Sequence, residues 1–271
     1  MKGVYVTALS NGNYIPGVKG LIHSLNLTET AHDIVIMIPE SKENELIEGL
    51  KNWGILSYKS VKIKKVPDIA LPEEIASQKD HYWTNTFIKL QAFSLYEYAK
   101  VVLIDSDMIV CDNIDELFER PSFSAVIAGK CAEPEWDSLN SGIVVIVPNA
   151  AFYKQLISLI SPTITDRNEQ GLNTGDQDVI HAAVPDWSQT KKLILDERYN
   201  VFFGQINTYC KAYKTNPYYI KVIHFVGAIK PWTKKRGVWI KIFIRELIKR
   251  DFKHMVFSAM IWRKYHIFCE K

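Results

Sequence analysis

Asp105 and Asp107 stand one residue apart, directly behind the apolar run Val101-Val102-Leu103-Ile104. Side chains at i and i+2 of an extended chain point the same way. Carboxylates are hard oxygen ligands, and a pair of them suits a divalent cation that also takes phosphate oxygens. The place fits that chemistry, because ligands of parallel α/β sheets collect beyond the carboxyl ends of the strands. One reading of Asp105-Ser106-Asp107 is therefore a metal clamp on a nucleotide diphosphate. The other is an ordinary turn whose Asp side chains accept from backbone N–H groups. The triplet by itself does not separate the two.

Four further segments carry groups suited to such a site. Ala8-Leu9-Ser10-Asn11 offers loop backbone that could read a base edge, and Tyr14 offers a ring to stack on it or to pack in the core. In His224-Phe225-Val226-Gly227-Ala228-Ile229-Lys230-Pro231-Trp232 the imidazole is a metal ligand type. Gly227 there allows close backbone approach, and Lys230 gives a compact charge for phosphate. The plainer alternative is a half-buried histidine beside a solvated lysine. Asn140-Ser141-Gly142 suits either sugar hydroxyls or a turn. Gly175-Asp176-Gln177-Asp178 opens a helix, where acidic residues are favourable with or without a ligand.

The elements that would position these groups alternate as βαβ units do. Strands are expected at Gly3–Ala8, Ile34–Ile38, Val61–Val66 and the run ending at Asp105. Shorter ones are expected at Met108–Cys111, Ala125–Ala128 and Gly142–Val147, with Val222–Phe225 returning to the sheet edge near the metal. Helical spacing covers Tyr14–Leu27, Lys42–Trp53, Thr86–Tyr98, Ala150–Ile160 and Asp176–Ala183, with a helical turn at Asp115–Phe118.

With 47% hydrophobic and 23% charged residues among 271, the composition is that of a soluble globular enzyme. No run reaches the ~18 apolar residues of a membrane span. The four cysteines, Cys111, Cys131, Cys210 and Cys269, have neither metal nor disulfide spacing, and Met1 leads almost at once into a strand. A reducing, cytoplasmic setting is the expectation. The net charge of +3 conceals an asymmetry: residues 234–271 hold 11 Lys and Arg against 3 Asp and Glu, leaving the rest acidic. This divides the chain into a body, 1–233, and a basic aromatic tail, 234–271.

Taken in order, the segments resemble the glycogenin-like family 8 of retaining glycosyltransferases. That family includes glycogenins, galactinol synthases and lipopolysaccharide galactosyltransferases. The resemblance runs from Gly3 to Trp232. It rests on Tyr5-Val6-Thr7 with Asn11 and Tyr14, Thr86-x-x-Lys89-Leu90, Leu103-Ile104-Asp105-Ser106-Asp107 and Asn113-Ile114-Asp115-Glu116-Leu117-Phe118. It continues through Asn140-Ser141-Gly142, Gly175-Asp176-Gln177-Asp178 and His224-x-x-Gly227-x-x-Lys230-Pro231-Trp232.

The resemblance implies a GT-A fold, a Rossmann-like α/β sandwich with a mixed, mostly parallel sheet flanked by helices. It implies a UDP-sugar donor and Mn²⁺, with Mg²⁺ as the alternative ion. Asp105, Asp107 and His224 would hold the metal, with Ser106 beside it, and Ala8, Leu9, Asn11 and Tyr14 would surround the uridine. Gly227 and Lys230 would hold the pyrophosphate, and Lys89, Asn140, Asp176 and Gln177 would line the donor sugar, the last two as catalytic groups. A hexose would pass to a glycan or polyol hydroxyl with retention, by same-face substitution. Two departures stand out. Asn207 aligns where glycogenins carry the tyrosine they glucosylate, with Tyr209 two residues on. The arginine that contacts UDP has no counterpart beyond Lys79 or His81.

In the tail, basic residues interleave with Trp239, Phe243, Phe252, Phe257 and Trp262. This suits helices on an anionic membrane surface, or one helix packed on the body with a solvated basic face. No nucleic-acid module is recognisable. Two rival functions are weaker. A sugar nucleotidyltransferase would need a Gly-rich basic loop, and Ser10-Asn11-Gly12-Asn13 is not one. A non-catalytic UDP-sugar-binding protein would have no reason to retain Asp105, Asp107, His224 and Lys230 together.

Overall fold

The computed structural model describes residues 2–73, 75, 83–227, 230–233 and 252–270. Lys79, His81, Ala228, Ile229 and tail residues 234–251 lie outside them. Among the described residues, a seven-stranded sheet is built from β1 (Gly3–Ala8), β2 (Asp33–Pro39), β3 (Val61–Val66), β4 (Lys100–Ile104), β6 (Ala125–Val126), β7 (Asn140–Ile146) and β8 (Ile194–Leu195). Its order is β3-β2-β1-β4-β7-β6-β8. The first four strands run parallel, and β7 is antiparallel to both β4 and β6. A second sheet joins β5 (Met108–Val110), β10 (Val222–His224) and β9 (Val201–Phe202), in that order.

The strand chemistry follows position. Inner strand β2, covered on both faces, is apolar from Ile34 to Pro39, whereas β3 at the edge carries Lys62, Lys64 and Lys65. Val101, Val102, Leu103 and Ile104 of β4 are fully buried. At about 1.5–3 kcal/mol per buried aliphatic side chain, this run anchors whatever follows it.

Helix α1 (Ile15–Leu27) starts with a proline in its first turn and buries Val18, Leu21, Ile22 and Leu25. The remaining helices are α2 (Glu43–Asn52), α3 (Ala150–Glu169), α4 (Asp176–Ala183), α5 (Ile206–Ala212) and α6 (Phe252–Phe268). From α6, Phe257, Ile261, Trp262 and Tyr265 pack into a core with Ile109, Val201, Ile223 and Phe225 of the smaller sheet region. The end of the tail is thus part of the folded body. No helix among the described residues is long and apolar enough to cross a membrane.

Three expectations are corrected. Trp83–Ser94 forms 3₁₀ turns, not an α-helix. Seven consecutive residues from Phe87 to Phe93 are buried there, so the segment has no solvent face, and Gln91 Nε2 donates to Pro67 O at 2.7 Å. The strand from Val222 does not return to the main sheet; it pairs with β5 and β9. Helix α3 runs beyond Ile160 and through Pro162 to Glu169, because Leu156, Ile160 and Ile164 keep one stripe buried.

Candidate active site

The chain after β4 turns at once into β5, and β5 pairs antiparallel with β10 so that His224 lies opposite Met108. Phe225 N donates to Asp107 O at 3.0 Å, extending that register. Backbone pairing therefore brings a distant histidine beside the two carboxylates. One ligand atom each from Asp105, Asp107 and His224 falls within 4.8 Å of the others. His224 Nε2 is 3.2 Å from Asp107 Oδ1 and 3.9 Å from Asp105 Oδ2.

A chain of amides fixes the imidazole. Asn140 Oδ1 accepts from Gly142 N at 3.0 Å and from Asn200 Nδ2 at 2.8 Å. Asn200 Oδ1 is left to accept from His224 Nδ1 at 3.0 Å. With the Nδ1 proton committed there, the Nε2 lone pair faces two carboxylates. That arrangement needs a proton or a cation between them. Two carboxylate oxygens and an imidazole nitrogen form a donor set for a divalent cation. Gly142 is required at the junction: a Cβ there would come within 2.9 Å of His224 Cε1 and 2.8 Å of Asn140 Oδ1.

Two buried lysines answer the carboxylates. Lys230 donates to Asp107 Oδ2, and to Phe225 O at 2.7 Å. Burial pushes the Asp107 carboxyl up, but the neighbouring His224 and Lys230 more than offset it, holding it well below the usual range. Lys89 Nζ is 3.0 Å from both Asp105 Oδ1 and Asp176 Oδ2, and 3.1 Å from Ser141 Oγ. Burial opposes the Lys89 charge, yet Asp105 and Asp176 together raise its pKa. For Asp176 burial wins over the lysine, and its carboxyl is raised.

Above these charges opens a cleft lined by Ala8, Asn11, Tyr14, Lys89, Asp105 and Ser106 among others. Asn11 accepts from Asn13 N at 2.9 Å and so shapes the loop before α1. Tyr14 meets Trp232 edge to face at 5.7 Å, and the Lys230 ammonium lies 5.9 Å from the Tyr14 ring. Gly227 turns the chain at φ +87°.

Not every expected residue faces this cleft. The Leu9 side chain is fully buried in the core with Ile36 and Ile38, so only its backbone is placed to meet a nucleotide. Asn140 and Gln177 line a neighbouring cavity, where Gln177 Oε1 accepts from Asn140 Nδ2 and Ser141 N, both at 3.1 Å. Tyr209 is only 4% exposed and packs with Ile206 and Tyr213, which does not suit it as an acceptor in place. Sequence reasoning missed the roles of Asn200 and Glu197. Neither sits in a motif or periodic pattern that marks its role.

Residues 5–236 match the family described as Glycosyl transferase family 8. The chain is 32% identical over 256 residues to glycogenin-1 of Caenorhabditis elegans, covering 90% of this chain and 56% of that protein. It is 29% identical over 261 residues to human glycogenin-1, covering 95% and 70%. It thus spans little more than half of the worm relative. Among solved structures, the galactosyltransferase LgtC in complex with donor and acceptor sugar analogs aligns with a TM-score of 0.57 at 17% identity, covering 90% of this chain and 94% of that one. The glycosyltransferase GlyE of Streptococcus pneumoniae aligns at 0.55 with 18% identity, covering 96% and 64%. The fold is that of the GT-A glycosyltransferases.

Proposed function

The chain belongs to glycosyl transferase family 8, and from that premise we propose that it transfers a hexose, glucose or galactose, from UDP to an acceptor hydroxyl with retention and with Mn²⁺ or Mg²⁺. The observation that carries this reading is the convergence of Asp105, Asp107 and His224 at the end of β4, on the floor of a cleft walled by Asn11 and Tyr14.

When bound, the metal would act as a Lewis acid on the diphosphate and stabilise the charge that builds on leaving UDP. Lys230 adds a fixed positive charge beside it, which is electrostatic stabilisation of the departing group. Tyr14 lines the cleft on the side proposed for the base. Lys89 and Asp176, paired and buried, offer a donor and an acceptor to the hexose hydroxyls. A same-face route fits the side chains better than a covalent intermediate. Gln177 is an amide whose Oε1 already takes two hydrogen bonds, and Asp176 is buried against Lys89. In the same-face route the leaving phosphate accepts the acceptor's proton.

The deciding experiment measures UDP release from UDP-glucose, UDP-galactose, UDP-N-acetylglucosamine and UDP-xylose, with Mn²⁺ and with EDTA. Metal-dependent release from a hexose donor that is lost in Asp107→Asn is the expected result. Full activity in Asp107→Asn would overturn the metal assignment, and absence of UDP binding would overturn the function.

A second reading concerns location. Tyr218, Met260 and Ile267 are exposed around an apolar groove of about 430 Å³ that Arg263 and Lys264 also line. Apolar and basic groups together suit the anionic, cytoplasmic face of a membrane. Sedimentation with phosphatidylglycerol vesicles but not phosphatidylcholine vesicles, weakened by salt, would support it; no sedimentation with either would remove it.

A further inference from the structure

Helix α6 reaches both halves of the donor site with consecutive residues. Tyr265 is fully buried, and its hydroxyl lies 3.0 Å from Ser106 O and 3.3 Å from Gly17 O. A phenol has one proton to donate, so the two carbonyls share it. Ser106 is the residue between Asp105 and Asp107. His266 Nδ1 is 2.8 Å from the carbonyl oxygen of Pro231, the residue after Lys230. A carbonyl only accepts, so the imidazole carries a proton on Nδ1 there.

The Asp105-Ser106-Asp107 triplet is thereby held by three different segments. Asp105 N donates to Gly142 O of β7 at 2.9 Å, Phe225 N donates to Asp107 O at 3.0 Å, and Tyr265 takes the carbonyl in the middle. That carbonyl belongs to the planar peptide joining Ser106 to Asp107, so fixing it fixes the backbone rotation from which the Asp107 side chain departs. On the other half of the site, Trp232 Nε1 donates to Asn13 O at 3.2 Å, and the Trp232 ring meets Tyr265 edge to face at 6.1 Å. Helix α1 leaves room for both aromatic residues. Gly17 and Gly20 share one face of it. A Cβ at Gly17 would come within 2.6 Å of Trp232 Cη2 and 2.7 Å of Ser106 O, and one at Gly20 would meet the Tyr265 ring and lie 2.6 Å from Cys269 Sγ. The Tyr265 ring also stacks at 4.8 Å on Phe225, the residue after His224, and Lys19 of α1 donates to Glu270 O just past the helix end.

We propose that α6 supplies two positioning residues to the donor site: Tyr265 sets the direction of the Asp107 carboxylate for the metal, and His266 sets the Lys230-Pro231-Trp232 segment for the diphosphate. The inference rests on the glycosyltransferase reading and extends its site into the C-terminal helix. Both residues act through a backbone carbonyl of the group they place, so each governs a different ligand.

The test reads the two ligands separately on the full chain. Mn²⁺ binding is titrated by the EPR signal of the free ion, and UDP binding by calorimetry at saturating Mn²⁺. Tyr265→Phe removes one oxygen and keeps the ring. It should weaken Mn²⁺ binding about tenfold, the lower end of what groups behind a metal's ligands contribute, and leave UDP affinity at saturating Mn²⁺ within about twofold of the parent. His266→Ala should weaken UDP binding about three- to tenfold, the scale of one lost hydrogen bond, while Mn²⁺ alone binds no more weakly than to the parent. His266→Asn, which puts an amide N–H near the lost Nδ1–H, should recover most of that loss. Phe257→Leu is the packing control: it thins the buried side of the same helix at another point and should lower the urea midpoint with both affinities unchanged. Parental Mn²⁺ affinity in Tyr265→Phe, or parental UDP affinity in His266→Ala, overturns the proposal. Equal losses in Phe257→Leu do so too, because the helix would then act by packing alone. If the parent binds Mn²⁺ and UDP but releases UDP from no donor, the transferase reading fails and the same affinities still decide the proposal. A parent that binds neither ligand overturns both.

Discussion

The ammonium of Lys230 rests on Asp107 Oδ2, on the carboxylate whose other oxygen faces His224 Nε2. A protein cation thus occupies one side of the proposed metal ligand. The same lysine is the group proposed to neutralise the leaving diphosphate. Its ammonium also donates to Phe225 O, which leaves one of its three N–H groups for a diphosphate while Asp107 Oδ1 stays available on the His224 side.

Lys230→Met separates the two tasks. Without nucleotide, removing the competing ammonium should tighten Mn²⁺ binding. With UDP present, the tightening that diphosphate gives the parent protein should be smaller. Titration of free Mn²⁺ by its EPR signal, with and without UDP, checks both. Turnover should fall about 10²–10³-fold, the cost of removing one such stabilising group.

Asp176→Asn tests the donor-sugar side alone. Asp176 shares Lys89 with Asp105 but is not among the clustered metal ligands. The amide keeps the shape and loses the charge that faces the lysine. Mn²⁺ and UDP affinity should stay within about twofold of the parent, while kcat for hexose transfer falls by at least the ~10-fold that 1.4 kcal/mol represents. Loss of Mn²⁺ binding in this variant would place Asp176 with the metal instead.

Much of this arrangement is legible in the sequence, for identifiable reasons. β1, β3 and α4 follow their expected bounds because hydrophobic periodicity and acidic helix starts report local structure directly. The grouping of Asp105, Asp107 and His224 is implied by the family resemblance, since the Asp triplet alone reads equally as a turn and His224 alone as a core histidine, and the described residues bring the three together. What is not readable comes from tertiary contact. Phe87 to Phe93 is buried all round, so its sequence carries no face to distinguish a 3₁₀ run from an α-helix. The expected strand Ala125–Ala128 stops at Val126, where the register with β7 shifts. Asn200 and Glu197 work through hydrogen bonds to distant segments, and a lone polar residue gives no periodic signal for that.

Asp115 gives a pH-dependent stability prediction away from the site. Burial raises its carboxyl, but Thr30 Oγ1, Ala31 N and Tyr5 OH donate to it and more than offset this, so its folded pKa is lowered. A lowered folded pKa stabilises the fold above the unfolded value of about 3.9. That contribution is lost as pH falls through the folded value. Asp115→Asn should cost about 1–3 kcal/mol at pH 7 by weakening the partners' hydrogen bonds. Urea unfolding should show the gap between parent and variant narrowing below pH 4; a gap unchanged to pH 3 would remove the charge from the explanation.

Asn200 provides the sharpest test of how the imidazole is aimed. It touches neither carboxylate, yet its Oδ1 fixes the His224 Nδ1 proton and its Nδ2 is fixed in turn by Asn140. Groups that orient a metal-bound histidine are typically worth 10–100-fold in affinity. Asn200→Ala should therefore weaken Mn²⁺ binding by about that factor, although all three proposed ligands remain. His224→Ala should weaken it further, and the double variant should match His224→Ala alone, since a group acting only through the imidazole has nothing left to orient. If the two losses instead add in full, Asn200 acts on the metal site by another route, such as through Asn140 and the backbone of Gly142.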